Sequence, residues 1–149
     1  MYHNEADVGR AVTKFLSSAS NTTGLKREDI HFTSKLASNS DYDTARRSIK
    51  KSVKECGLGY IDLFLLHSPY GGKKARLESW RAVEDAVMDG EVKIGGVSNY
   101  GVKHVSSTSD TKSNSHASQA ILFSITSHIN QHELQNVAFF LDARVPSVF

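Results

Sequence analysis

Three polar residues recur at nearly equal intervals along the first hundred residues, each at the end of an apolar or β-branched run. Lys35 ends IHFTSK, His67 ends YIDLFLLH and Ser98 ends VKIGGVS, so the intervals are 32 and 31 residues. An amine, an imidazole and a hydroxyl, followed by the amide of Asn99, can bind, orient and protonate a small polar molecule. If the intervals reflect one repeating structural unit, these groups meet in space.

The segments between these runs have the three-to-four-residue apolar spacing of amphipathic helices. In residues 43–56, the apolar side chains lie four, four and three residues apart, Asp41 or Asp43 is a suitable N-cap, and Gly57 follows as a helix stop. Helices are predicted at residues 5–16, 43–56 and 75–89, and strands at residues 30–35, 60–67 and 92–98.

Single helices that alternate with strands predict parallel strands joined by right-handed crossovers. The carboxyl ends of parallel strands lie at one rim of the sheet, so Lys35, His67 and Ser98 are expected around a single opening. Counting 33 residues back from Lys35 reaches Tyr2, and counting 33 forward from Ser98 reaches Gln131. Both residues extend the same series.

This periodicity fits a closed barrel as well as an open doubly wound sheet. An open nucleotide-binding sheet is usually marked by G-x-G-x-x-G after its first strand. The glycines here lie elsewhere, with Gly57 and Gly59 at a helix stop and the pair Gly95-Gly96 inside a predicted strand. We therefore favour an α/β fold in which the sheet closes into a barrel.

Four blocks of the sequence resemble successive blocks of the aldo-keto reductases. They are YHNEADVGRAV, KREDIHFTSKL, LGYIDLFLLHSPY and SWRAVEDAVMDGEVKIGGVSNY, and the resemblance runs over about residues 2–104. It implies an α/β fold that is part of a (β/α)8 TIM barrel, and the use of NADP(H) to reduce an aldehyde or ketone to an alcohol. A small-molecule carbonyl compound is then the expected substrate.

The resemblance also implies which residues act. Tyr2 matches the family's catalytic tyrosine, Lys35 its lysine and His67 its histidine. Hydride transfer to a carbonyl carbon creates an alkoxide that needs a proton. A lysine ammonium favours the ionised form of a nearby tyrosine and makes it a better acid, while the histidine orients the carbonyl oxygen.

The expected cofactor ligands follow in the same way. Ser98 and Asn99 match the pair that hydrogen-bonds the nicotinamide carboxamide, and INQHEL resembles a later block that makes Gln131 a further carboxamide ligand. No metal site is expected, because the histidines lack the spacing of metal ligands.

Such a barrel needs ~250 residues, whereas this chain has 149. The family's catalytic aspartate would precede Tyr2, and its NADPH-phosphate block would follow the last residue. We therefore expect a reductase truncated at both ends and too short to be active alone. The alternative is a non-catalytic partial barrel that acts as a binding or regulatory module.

The chain divides by composition into three parts. Residues 1–104 are the expected partial barrel, residues 105–118 form a serine-rich loop or linker, and residues 119–149 form a poorly matching tail with room for one further strand and helix.

Composition excludes several other functions. The net charge is only +2, and no basic run is interleaved with aromatics, so no nucleic-acid partner is expected. No apolar stretch approaches the ~20 residues that span a bilayer, so no membrane partner is expected either. The single cysteine, Cys56, excludes an internal disulfide and fits a reducing, cytoplasmic location.

Overall fold

A computed structural model describes residues 4–101 and 104, together with the backbone of residues 120–121 and 137–142. The helices are α1 (Glu5–Leu16), α2 (Tyr42–Cys56) and α3 (Gly72–Met88), with a 3-10 turn at Arg27–Asp29. The strands are β1 (Thr33–Leu36), β2 (Ile61–Leu66), β3 (Val92–Tyr100), β4 (Ala120–Ile121) and β5 (Val137–Asp142).

The first three strands are parallel neighbours in a sheet of order β1-β2-β3-β5-β4, and α2 and α3 connect them. The predicted alternation of helices and parallel strands is confirmed. The register pairs Leu36 with Leu66, and Leu66 with Val97. Because these three residues lie in one layer, the carboxyl ends of the strands share one rim.

Strand β3 runs two residues beyond its predicted end at Ser98. It pairs with β5 in the antiparallel direction, with Gly95 opposite Leu141 and Tyr100 opposite Val137, and the register shifts between Val97 and Tyr100. The alternation of helices and strands in the sequence does not predict this antiparallel neighbour.

The core lies between the sheet and α2 and α3. Phe64 and Leu66 of β2 are fully buried there, and Val83 of α3 is equally inaccessible. Since side chains alternate along a strand, the intervening residue Leu65 and the following His67 belong to the opposite face. The strands therefore present their polar terminal residues on the face that the helices do not cover.

Both ends of α2 are set by local chemistry. The Asp41 carboxylate accepts a hydrogen bond of 2.9 Å from the backbone N–H of Thr44, which selects Asp41 rather than Asp43 as the N-cap. At the other end Gly57 has a φ of 63°, the left-handed conformation that glycine adopts without a steric penalty. The predicted helix stop is confirmed.

A half-buried carboxylate on α3 gives the fold a pH dependence. Burial raises the pKa of Glu84 above its ordinary value, and a 2.9 Å hydrogen bond from the Trp80 indole offsets part of this effect. The folded state therefore binds a proton more readily than the unfolded state, so the penalty for burying the ionised form applies above the folded pKa and disappears as the pH falls.

We expect Glu84→Gln to raise the thermal midpoint at neutral pH, because glutamine keeps an acceptor for Trp80 without a charge. The advantage should fade as the pH drops into the ordinary carboxyl range, ~4. Thermal unfolding followed through Trp80, the only tryptophan of the chain, measures this. The exposed Glu28→Gln is the control and should show no such trend; equal stability of wild type and Glu84→Gln at every pH would contradict the expectation.

None of the helices in the described part of the chain combines the length and apolar character needed to cross a membrane.

Candidate active site at the carboxyl ends of the strands

An open depression of about 1100 Å³ lies at the rim where β1, β2 and β3 end. Three segments line it, and each follows or ends one of these strands. The lining residues are 37–39, 67–71, 99 and 101. Of the predicted strand-end residues, His67 and Asn99 line the depression, whereas Lys35 and Ser98 are not among its lining residues.

His67 lies directly after β2, and its side chain is exposed at the depression. Its backbone is held on both sides. The His67 N–H donates to the carbonyl of Leu36 at 3.3 Å, and its carbonyl accepts from Asn99 Nδ2 at 2.9 Å. The backbone of His67 is thus bonded to both neighbouring strands while the imidazole stays accessible.

Asn99 has a φ of 63° and is the only non-glycine residue with a positive φ in the part of the chain that the structure describes. Asparagine tolerates this left-handed conformation better than most residues, and such backbone often occurs at functional sites. The Asn99 Nδ2 group also lies 3.2 Å from Ser98 Oγ as a donor. Ser98, Asn99 and His67 are therefore directly linked.

Lys35 lies one residue before the end of β1 and pairs in register with Leu65. By strand alternation its side chain is on the same face as His67, and it lies further from the rim, level with Leu65 two residues before His67. Lys35 is not among the residues that line the depression, and no carboxylate within the described residues forms an ion pair with it.

Tyr2 and Gln131, the remaining predicted site residues, lie outside the described residues. The structure therefore links three of the predicted residues (His67, Ser98 and Asn99) and puts Lys35 on the same face of the sheet. The roles of all six residues stay predictions.

Sequence reasoning did not identify Asn39 or Tyr100 as part of this region. The Asn39 amide donates to the backbone carbonyls of Ser68 and Tyr70, at 2.8 and 2.7 Å. The Tyr100 hydroxyl lies 3.5 Å from Asn39 Oδ1, and Tyr100 is fully buried, which raises the pKa of its phenol. The only sequence signal was position, since Tyr100 follows the Ser98-Asn99 pair and Asn39 follows the first strand.

A second, smaller depression of about 130 Å³ lies at the opposite ends of the strands, and Asp29, His31, Asp62 and Lys93 are among its lining residues. Two of its carboxylates are already bonded, because Asp62 accepts from Arg27 and Asp29 accepts from the Lys26 N–H. Within the described residues, no three histidine, cysteine or acidic side chains form a group that could hold a metal ion.

Comparison with known proteins extends these observations. Residues 1–144 match the model of the aldo/keto reductase family. A protein named as an uncharacterized oxidoreductase in Schizosaccharomyces pombe is 56% identical over 111 residues, which are 74% of this chain and 38% of that protein. The glyoxal reductase of Bacillus subtilis is 34% identical over 106 residues, 70% of this chain and 35% of the enzyme.

Solved structures agree in fold. An aldo-keto reductase from a deep-sea metagenome library has a TM-score of 0.63 and 34% identity, covering 74% of this chain and 38% of its own. The aldo-keto reductase of Bombyx mori, solved in complex with NADP, has a TM-score of 0.63 and 28% identity over the same shares. These matches confirm the partial-barrel fold.

The chain spans between a third and two fifths of the length of these relatives. The family model, the oxidoreductase relatives and the reductase structures all indicate the same family. The chain belongs to the aldo/keto reductase family.

Proposed function

We propose that the depression is the nicotinamide-facing part of a reductase site, and that it serves the NADP(H)-dependent reduction of an aldehyde or ketone to an alcohol. The observation that carries the proposal is the direct 2.9 Å hydrogen bond between Asn99 and the His67 backbone. It joins the residue that would contact the carbonyl substrate to the residue that would hold the cofactor. NADP is also the ligand in the Bombyx mori relative's structure.

The polar groups of Ser98 and Asn99 fit a carboxamide. Both protons of Asn99 Nδ2 are donated, to His67 O at 2.9 Å and to Ser98 Oγ at 3.2 Å. Asn99 Oδ1 is left to accept a bond from an amide NH₂, and the Ser98 hydroxyl proton can be donated to an amide carbonyl. Together they would fix the plane of the nicotinamide ring, and the cofactor when bound would supply the hydride.

His67 would act on the substrate. Its exposed imidazole can donate a hydrogen bond to the carbonyl oxygen and orient it while negative charge develops there. Lys35, on the same face of the sheet, would favour ionisation of Tyr2, the proposed proton donor to that oxygen. Gln131 would be a further ligand of the carboxamide.

We propose in addition that the 149-residue chain does not turn over by itself. Within the described residues, Lys35 has no carboxylate partner, and the contacts proposed for the cofactor reach only its nicotinamide end. Reduction would then need the parts of the barrel that the longer relatives contain.

A titration with NADPH, followed by its fluorescence, tests the cofactor assignment. Wild-type protein should bind NADPH, and Asn99→Ala should bind it about fivefold more weakly, since the hydrogen bond proposed for Asn99 Oδ1 is worth ~1 kcal/mol. Asn21→Ala, which removes an asparagine far from the rim, should bind as wild type does. No binding by the wild type would refute the cofactor proposal.

An NADPH-consumption assay with a panel of small aldehydes and ketones tests whether the 149-residue chain turns over by itself. We expect no turnover above that of His67→Ala. Turnover by the wild type that His67→Ala abolishes would show that the chain is catalytically sufficient, and would support the reductase assignment at the same time.

A further inference from the structure

We propose that Asn39 is a positioning residue of this site, and that its side-chain amide keeps His67 and Asn99 in fixed relation. The inference rests on the proposed function and adds a residue to it. Asn39 itself is half-buried beside the depression, in the loop between β1 and α2.

The contacts of Asn39 fall on the immediate neighbours of the two proposed site residues. Its amide donates to the carbonyl of Ser68, which follows His67, and its side chain meets the hydroxyl of Tyr100, which follows Asn99. Asn99 in turn donates to the carbonyl of His67. These five residues form a closed ring of hydrogen bonds and peptide bonds, which we call the rim ring.

The Asn39 amide supplies the two donors and the one acceptor that the rim ring uses at this position. The two protons of its Nδ2 go to the carbonyls of Ser68 and Tyr70, at 2.8 and 2.7 Å. The hydroxyl of Tyr100, although 3.3 Å from Nδ2, then has Oδ1 at 3.5 Å as its acceptor. Aspartate has the same shape but, when ionised, lacks both donors and would face two carbonyl oxygens.

A side chain can position others only if its own backbone is fixed. The residue after Asn39, Ser40, is bonded through both backbone groups to Ser79 of α3: its N–H donates to Ser79 Oγ at 2.9 Å, and its carbonyl accepts from the same hydroxyl at 3.2 Å. Ser79 is fully buried. The core of the domain therefore anchors the loop that carries Asn39.

The loop after β2 is fitted closely to Asn39. Gly71 has a φ of 97°, and a Cβ placed on it would lie 3.4 Å from the Asn39 carbonyl oxygen. The left-handed conformation of Gly71 brings the loop after β2 into contact with the backbone of Asn39. Without the amide, the carbonyls of Ser68 and Tyr70 would lose their partner and the loop that follows His67 could move.

The chain contains a matched control. The Asn21 amide also joins two backbone carbonyls, those of Leu16 and Leu25, at 3.1 and 2.8 Å, and its Oδ1 accepts from the Leu25 N–H. It performs the same local task in a loop distant from the rim. Asn21→Ala therefore reproduces the loss of a loop-bridging amide without touching the rim ring.

The experiment compares wild type, Asn39→Ala, Asn39→Asp and Asn21→Ala by amide hydrogen exchange and by titration with NADP⁺, which tolerates acid. In Asn39→Ala, exchange of the His67 amide, which donates to the Leu36 carbonyl, should accelerate about tenfold or more, while exchange of the buried β2 amides stays as in wild type. The affinity for NADP⁺ should fall several-fold. Asn21→Ala should leave both rim measurements unchanged.

Asn39→Asp gives a pH signature that a loss of packing would not give. At neutral pH it should behave as Asn39→Ala does. On acidification the protonated carboxyl regains one donor, so rim exchange should slow and NADP⁺ affinity should partly recover, whereas Asn39→Ala shows no recovery.

Three results would overturn the proposal. Rim exchange in Asn39→Ala could match wild type; Asn21→Ala could change the rim equally; or exchange could accelerate with no change in NADP⁺ affinity, which would make Asn39 structural only. Failure of the wild type to bind NADP⁺ is a different outcome, because it removes the proposed function and the positioning role together.

Discussion

Gly9→Ala is expected to destabilise the protein by about 2–3 kcal/mol, although alanine is the better helix former by about 1 kcal/mol. Gly9 is the buried residue of α1, and a Cβ placed on it would lie 1.7 Å from the backbone carbonyl oxygen of Cys56 and 2.6 Å from its carbonyl carbon. The obstacle is backbone, so no side-chain rotation relieves it. Helix α1 would have to move away from the end of α2.

The consequence would extend to the site, because α1 begins at Glu5, three residues after Tyr2, and is tied to β1. The Glu5 carboxylate accepts a hydrogen bond from Ser34, the residue before Lys35. Urea unfolding followed by circular dichroism measures the loss of stability. Thr13→Ala, an exposed substitution in the same helix, should have little effect. Equal unfolding midpoints for Gly9→Ala and wild type would contradict the close packing of α1 on α2.

Arg27→Met is expected to lower the free energy of unfolding by about 2–3 kcal/mol. The Arg27 guanidinium donates to the carbonyls of Leu58, Ile30 and Tyr60 and to the Asp62 carboxylate, at distances between 2.7 and 3.1 Å. Its charge also lies 4.0 Å from the centre of the Tyr60 ring. Removing it leaves the Asp62 carboxylate, whose side chain is only 15% exposed, without its cation.

The chain again offers a control. Arg10 pairs with Asp7, but both side chains are 71% exposed, so Arg10→Met should change stability by less than about 0.5 kcal/mol. Adding Asp62→Asn to Arg27→Met should restore part of the loss, since the buried charge is then gone. If Arg27→Met proves as mild as Arg10→Met in the same unfolding experiment, the buried pair contributes little.

Much of this fold could be predicted because its signals are local. The apolar run at residues 63–66, the helix stop at Gly57 and the equal spacing of Lys35, His67 and Ser98 each follow from short-range chemistry, and the structure has the corresponding strand, cap and shared rim. The antiparallel pairing of β5 with β3 is a contact between residues about forty positions apart, and no local pattern specifies it.

The site divides in the same way. Polar residues at strand ends predicted that His67 and the Ser98-Asn99 pair lie together, as they do. Asn39 was not predicted, because its contacts are with two carbonyls in another loop. Asparagine in a loop is ordinary, and only the three-dimensional arrangement distinguishes Asn39 from Asn21. Hydrogen bonds to backbone carbonyls carry no signature in the sequence of the acceptor residues.

In the proposed site, His67 and Asn99 meet one nicotinamide ring. Nuclear Overhauser effects between the protein and bound NADP⁺ test it most directly. We expect contacts from the His67 imidazole and the Asn99 side-chain amide to the nicotinamide ring protons, and weaker His67 contacts in Asn99→Ala at the same NADP⁺ concentration. Bound NADP⁺ that instead contacts His31 at the opposite ends of the strands, or that shows no contact with either His67 or Asn99, would contradict it.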